Sequence, residues 1–213
     1  MRTRLKVCGI TNRKDAEGII TLGVDILGFN FFPASPRYIS PENAANIIQY
    51  LPPSVITVGI LVAPTPAQAR QILLRSGVQW LQVYHPKRLD YLLELGVPVI
   101  YAHRMAPNTP IPWPINTHYL LLDAYHENHL GGTGQRFQWE HIPAEIPRSQ
   151  LVLAGGINPQ NIHQALQQVH PAIIDVASGS EIEPGRKDMS KIQKMQEAIL
   201  MHNLSKLKSV IIR

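Results

Sequence analysis

The chain has 213 residues, of which 45% are hydrophobic, and it carries a formal net charge of +5 at neutral pH. No apolar run reaches the ~18 residues that a membrane span requires, and the scattered basic residues form no basic helix and no basic–aromatic strand pattern. Membrane and nucleic-acid partners are therefore disfavoured, and a small phosphorylated or carboxylated substrate fits the positive charge. The basic start leads directly into a strand without a signal-peptide core, which predicts a cytoplasmic location.

Strand-like and helix-like segments alternate along the chain. Short apolar and β-branched runs predict eight strands, at residues 5–11, 26–31, 55–62, 80–84, 97–102, 119–124, 151–154 and 172–177. Capping residues and closing glycines predict helices at residues 14–22, 41–50, 66–76, 86–95, 159–169 and 189–202, with a short helical piece at 138–142. A basic tail follows at residues 203–213.

This alternation predicts a parallel sheet, and eight strands favour one closed (β/α)8 barrel over residues 1–202. A doubly wound open sheet is the alternative. It would carry Gly-x-Gly-x-x-Gly after the first strand, where this chain has Cys8-Gly9-Ile10-Thr11. Residues 104–117 contain four prolines, so the fifth crossover is predicted to be an irregular loop.

Polar residues at the carboxyl ends of the strands are the candidates for chemistry, because barrels build their active sites there. Cys8, the only cysteine, ends the first strand and can serve packing or catalysis. Asp123 ends the sixth strand, where an unpaired buried carboxyl would be costly. Across the rim the two can act as a base and an acid, and we expect Lys6 or Arg37 to lower the thiol pKa.

Two small-residue turns predict a phosphate site. Gly155-Gly156 precede a helix that starts at Asn158-Pro159, and Ser178-Gly179 follow the eighth strand. Main-chain N–H groups at such turns bind phosphate, and barrels often use the last two loops together. Tight turns without a ligand are the alternative. Arg37, on a proline-stiffened loop, suits a substrate carboxylate through its planar fork, or is a surface arginine.

Four histidines lie close together in the second half of the chain. They lack a fixed ligand spacing such as two histidines on one helix face, so a catalytic metal is disfavoured. They are His118, His126, His129 and His141.

Taken together, these segments resemble those of the phosphoribosylanthranilate isomerases, barrel enzymes of tryptophan biosynthesis. The matching segments keep the family's order, and the combination is specific although each alone is not. They are Lys6–Thr11, Gly28-Phe29, Ser35-Pro36-Arg37, Asp123 with Gly131-Gly132-Thr133-Gly134, Leu153–Gly156 before Asn158-Pro159, Asp175–Gly179 and Gly185–Asp188.

The resemblance implies an Amadori rearrangement of N-(5-phosphoribosyl)anthranilate to 1-(2-carboxyphenylamino)-1-deoxyribulose 5-phosphate, without a cofactor. It implies that Asp123 is the general acid on the ribose ring oxygen, that Cys8 is the general base on the C2 proton, and that Arg37 holds the anthranilate carboxylate. The other implied contacts are the phosphate with Gly155, Gly156, Ser178 and Gly179, and the ribose with Gln82 and Asp175. A monomer and a homodimer are both left open.

The chain departs from the family at the end of the fourth strand. The family usually has Gln-Leu-His-Gly, whereas this chain has Gln82-Val83-Tyr84-His85. Because a shift of one residue along a strand moves a side chain to the other face, we expect Tyr84 rather than His85 to face the site. His103-Arg104 also stand where a lysine is usual.

Two alternatives remain. A non-catalytic or altered-specificity paralogue would keep the barrel and bind a phosphorylated sugar, and the change at Tyr84 would be its sign. Another phosphosugar barrel enzyme would need other groups: a strand-end lysine for an indole-glycerol-phosphate synthase, an aspartate in place of Cys8 for a histidine-pathway isomerase, or His and Asp ligands for a metal-dependent epimerase.

Overall fold

The structure is a computed structural model that describes residues 2–87, 90–105, 110–111, 113, 116–124 and 139–211, except for the side chains at 141 and 209–211. In this part of the chain, eight parallel strands close into a barrel, each paired with the next and the last with the first. They are β1 (Arg4–Cys8), β2 (Ile26–Asn30), β3 (Ile56–Val62), β4 (Trp80–Tyr84), β5 (Val99–Met105), β6 (Tyr119–Ala124), β7 (Leu151–Leu153) and β8 (Ile173–Val176). Closure confirms the predicted barrel and excludes the open sheet.

Helices pack on the outside of the barrel. They are α1 (Arg13–Thr21), α2 (Pro41–Ile48), α3 (Pro66–Ser76), α4 (Asp90–Leu93), α5 (Ile162–Val169) and α6 (Met189–Ile211). The side chains of Asn12, Ser40 and Thr65 cap the first three by accepting a main-chain N–H from the first turn. A hairpin that the sequence did not predict, β9 (Glu181–Glu183) with β10 (Arg186–Lys187), follows β8.

Some helix boundaries differ from the sequence expectation. Helix α4 is much shorter than the predicted 86–95, of which residues 88 and 89 lie outside the described part. Helix α5 begins at Ile162 because the side chains of Asn158 and Asn161 first bind the Gly156 carbonyl and form a turn. Helix α6 continues past residue 202 to Ile211.

The extension of α6 has a physical cause. The side chain of Asn203 accepts the Thr3 N–H and donates to the Thr3 carbonyl, each at 2.9 Å, which ties the helix to the start of the barrel. In the described residues of the fifth crossover, 110–111, 113 and 116–118, no helix is present, as its prolines predict. The short helical piece expected at 138–142 is a single 3-10 turn, Trp139–His141.

The barrel interior is layered. Side chains alternate between the two faces of each strand, and an apolar layer fills the middle of the barrel with Ile26, Val58, Ile100, Leu121, Val152 and Ile173. Two residues farther along β6 and β8, Asp123 and Asp175 face the same interior, at the carboxyl ends of the strands. The polar site therefore lies on an apolar floor.

Candidate active site

The carboxyl ends of the strands enclose a cleft that collects every site residue predicted from the sequence. These residues are Cys8, Arg37, Gln82, Asp123, Gly155, Gly156, Asp175, Ser178 and Gly179. Tyr84 and Arg104 also line the cleft, and of these two the sequence placed only Tyr84 there, without a role. Tyr84 rather than His85 faces the cleft, which confirms the expectation from the two-residue period of β4.

Cys8 ends β1 with a buried, free thiol. Burial raises the pKa of the Cys8 thiol, and this effect is larger than the lowering of the pKa by Lys6. The charge of Asp175 raises the pKa further, and the charge of Lys187 lowers it by a smaller amount. The net direction is upward, contrary to the expectation that a nearby cation depresses it. Lys6 acts in the expected direction, but the loss of water around the sulfur is the larger effect.

A buried ion pair lies beside the thiol. Lys6 Nζ donates to Asp175 Oδ1 at 2.9 Å, with the lysine side chain fully buried. The two residues are register partners on the adjacent strands β1 and β8. Desolvation lowers the pKa of Lys6, but Asp175 and Cys8 raise it more, so the ammonium stays charged. A thiolate at Cys8 would thus form next to a positive charge.

Asp123 ends β6, where it is also buried. Burial raises the pKa of Asp123 to about 6, against a hydrogen bond from Tyr84 that lowers it. Tyr84 Oη donates to Asp123 Oδ2 at 3.1 Å, and Gln82 Nε2 donates to the same hydroxyl at 3.3 Å. A carboxyl with a pKa near neutrality suits proton donation to a substrate.

Arg37 is held by a carboxylate that the sequence did not predict for the site. Its Nε and Nη2 donate to Glu181 at 2.9 and 2.7 Å, and Lys187 Nζ donates to the same carboxylate at 2.8 Å. Nη1 has no hydrogen-bond partner among the described residues. Glu181 and Lys187 were missed because they come from the unpredicted hairpin, and no strand-end pattern marks them.

The glycine after Cys8 permits this close packing. Gly9 has a φ of 82°, and a Cβ there would lie 2.6 Å from Arg37 Cδ. The loop after β2 is braced as well, because Ser35 Oγ accepts from the Arg37 N–H and from Asn30 Nδ2, both at 3.1 Å. The Cys-Gly and Ser-Pro-Arg segments are therefore parts of one packed unit.

The turns after β7 and β8 contact each other closely. A Cβ on Gly179 would lie 1.9 Å from the Ile157 carbonyl oxygen, and one on Gly155 would lie 2.3 Å from the Ala124 nitrogen. Within the described ranges, the main-chain N–H groups of Gly155 and Gly156 donate no hydrogen bond. Two such donors at adjacent positive-φ residues can receive an anion.

Parts of the sequence prediction lie outside the described residues, namely Gly131–Gly134, His126, His129 and the side chain of His141. His118 Nδ1 accepts the Val99 N–H at 3.2 Å. In the part of the chain that is described, no group of three or more His, Cys, Asp or Glu side chains could hold a metal ion. None of the helices there is long and apolar enough to cross a membrane.

A closed eight-stranded barrel with a buried thiol, a carboxyl of near-neutral pKa and a glycine-lined anion seat at its strand ends has the features of a (β/α)8 acid–base enzyme for small anionic substrates. The family model described as N-(5'phosphoribosyl)anthranilate (PRA) isomerase matches residues 5–198. The chain belongs to this family, as the sequence resemblance indicated, and so is an isomerase of tryptophan biosynthesis.

Individual relatives agree. The N-(5'-phosphoribosyl)anthranilate isomerase of Nitrosomonas europaea is 39% identical over 93% of this chain and 96% of its own. The crystal structure of the Thermotoga maritima phosphoribosyl anthranilate isomerase has a TM-score of 0.83 at 33% identity, covering 93% of this chain and 99% of that one. A related isomerase structure, with a TM-score of 0.79 at 32% identity over the same shares, is a complex with reduced 1-(o-carboxyphenylamino)-1-deoxyribulose 5-phosphate.

Proposed function

We propose that the isomerase activity of this chain is the Amadori rearrangement of N-(5-phosphoribosyl)anthranilate, with Cys8 as the general base and Asp123 as the general acid. The observation that carries these roles is the placement of the single thiol and a carboxyl of pKa about 6 in one cleft, on β1 and β6. These strands are separated by β7 and β8 in the barrel order, so the two groups come from strands that are not neighbours. The phosphate turns follow β7 and β8.

The proposed steps are proton transfers coupled to bond shifts within the substrate, with no net oxidation or reduction, so no cofactor enters them. Asp123 gives its proton to the ribose ring oxygen as the C1–O bond breaks, and the nitrogen lone pair forms the imine. The Cys8 thiolate then removes the C2 proton, and the C–H electron pair forms the enolamine. The enolamine tautomerises to the ketone as C1 takes up a proton and the C2 hydroxyl releases one, and proton exchange returns the Cys8 thiol and the Asp123 carboxylate to their starting forms. The buried Lys6 ammonium favours the thiolate during this step.

The substrate contacts follow from the donors that remain. We assign the phosphate to the turns at Gly155, Gly156, Ser178 and Gly179. The anthranilate carboxylate is assigned to Nη1 of Arg37, since Glu181 occupies the Nε and Nη2 edge of the guanidinium. Gln82 and Asp175 are left to orient the ribose. Because the base must be a free thiol, we place the reaction in the reducing cytoplasm.

The test is turnover of freshly prepared phosphoribosylanthranilate, followed by the loss of anthranilate fluorescence. Cys8→Ser and Asp123→Asn are each expected to lower kcat at least ~10²-fold, because each removes one proton-transfer group. Both should still bind the reduced product analogue, which shows that the site is intact. Retained turnover in either variant would remove that residue from its role, and a wild type that binds the analogue without turnover would support the sugar-binding alternative.

A further inference from the structure

Tyr84 contacts the proposed acid, Asp123, although the strands that carry these two residues are not adjacent. Strand β5 lies between β4 and β6, yet Tyr84 Oη lies 3.1 Å from Asp123 Oδ2. The intervening strand makes this possible, because the residue paired with Tyr84 is Ala102. Ala102 is buried in the barrel interior, and its side chain is a single methyl group. The phenol ring therefore crosses over β5 to the acid.

The direction of this hydrogen bond is determined by its partners. A Tyr84 hydroxyl has one proton and accepts through its lone pairs. In the amide orientation of the structure, Gln82 Nε2 contacts the same oxygen at 3.3 Å and can only donate. The Tyr84 proton is therefore directed to Asp123. Burial raises the pKa of Tyr84 well above its usual value, so this proton is retained across the working pH range.

We propose that Tyr84 is a positioning residue of the isomerase, which holds Asp123 by Oδ2 so that the acid proton resides on Oδ1. A protonated carboxyl has one O–H group, and the oxygen that already receives a donor is better kept as the acceptor. The inference rests on the proposed role of Asp123 as the acid. It gives a function to the position at which this chain departs from the family pattern, since Tyr84 supplies a donor that does not titrate.

Other charges also act on the carboxyl. Desolvation is the largest effect on the pKa of Asp123 and raises it. Tyr84 from β4 lowers it by donating a hydrogen bond, Asp175 from β8 raises it, and Arg104 from β5 lowers it, as does the Ala124 main chain. Removing the Tyr84 hydroxyl changes one of these and leaves the charged groups in place.

The variant Tyr84→Phe keeps the ring and removes the hydroxyl. Loss of a hydrogen bond to a carboxylate is expected to raise the pKa of Asp123 by about one unit, measured by carbon NMR titration of the labelled carboxyl. This readout needs no turnover. The acidic limb of the kcat/KM profile should move upward by the same amount. The matched control is Tyr119→Phe, on the same strand as Asp123 but at its other end, stacked on Trp80.

The positioning role is tested separately, in assays at a pH well below the acidic limb of both the wild type and Tyr84→Phe. There Asp123 is protonated in wild type and variant alike, so a difference in kcat reports how the proton is delivered. Tyr84→Phe is expected to be at least ~10-fold slower than wild type, with a similar KM. An unshifted carboxyl pKa, or equal kcat values under these conditions, would overturn the inference. Wild-type inactivity would instead refute the assignment of the substrate.

Discussion

The two buried groups of the cleft have pKa values in the order opposite to the one that the proposed chemistry needs. The proposed chemistry needs a Cys8 thiolate and an Asp123 carboxylic acid in the same molecule. The pKa of Asp123 is about 6, whereas burial raises that of Cys8 above the ordinary thiol value of ~8.5. Between these values most molecules hold a thiol and a carboxylate. The reactive form, a thiolate together with a carboxylic acid, is then a small fraction that stays constant between the two pKa values.

Changing the pH tests this order. Below pH 6, Asp123 is already protonated, and the thiolate fraction falls tenfold for each unit. Above the pKa of Cys8 the thiolate is complete, and the carboxylic acid fraction falls tenfold for each unit. We therefore expect kcat/KM to be flat between the pKa of Asp123, about 6, and the raised pKa of Cys8, with the acidic limb due to the general acid and the alkaline limb due to the base.

The assay combines initial rates of fluorescence loss with a direct titration of the thiol. Cys8 is the only cysteine, so the ultraviolet absorbance of its thiolate is read against Cys8→Ala. The substrate phosphate also ionises near pH ~6 and could by itself produce an acidic limb in the kcat/KM profile. A limb due to the phosphate would stay in place in Tyr84→Phe, whereas a limb due to Asp123 would move. A thiol that titrates below Asp123, or a narrow activity peak in place of the plateau, would refute the reasoning.

Two further substitutions test the scaffold of the site. Lys6→Met leaves Asp175 buried without its partner, so urea unfolding should show a free energy lower by about 3–5 kcal/mol; a loss below ~1 kcal/mol would contradict the importance of this pair. Gly179→Ala places a Cβ 1.9 Å from the Ile157 carbonyl oxygen and should raise KM by separating the phosphate turns. Gly77→Ala is the control, because its φ of 71° strains the backbone at the end of α3, outside the cleft lining, while nothing lies within 4 Å of the added Cβ. An equal KM in both variants would show that the turns do not bind the substrate.

The sequence was informative wherever the two-residue period of a strand determines where a side chain lies. Alternation along a strand determines which side chains face the interior, and this places Tyr84 in the cleft and His85 outside it. His85 takes a φ of 48°, at the position where the family usually has glycine. The strand-end rule likewise located Cys8 and Asp123, because every parallel strand of a barrel ends at the same rim.

The sequence was uninformative where the outcome depends on distant chain segments or on the amount of water excluded. Glu181 reaches Arg37 from 144 positions away, through a hairpin that has no strong strand pattern. The direction of the Cys8 pKa depends on a balance between burial and Lys6. The sequence spacing shows that a cation lies near the Cys8 thiol, but only the packed interior shows that desolvation changes the thiol pKa more than this cation does.

The buried charges explain how the cleft can attract an anionic substrate and still have a carboxyl whose pKa is raised to about 6. Two carboxylates, Asp175 and Glu181, are bound by three cations, Lys6, Arg37 and Lys187, which leaves this buried group with one net positive charge.

Arg104 adds a second charge to the lining, and no carboxylate within salt-bridge distance is found for it among the described residues. Its guanidinium lies 5.6 Å from the centre of the Tyr84 ring. Arg104 lowers the pKa of Asp123, but this effect is smaller than desolvation by the apolar floor. The cleft can therefore be positive overall while the pKa of Asp123 stays raised at about 6.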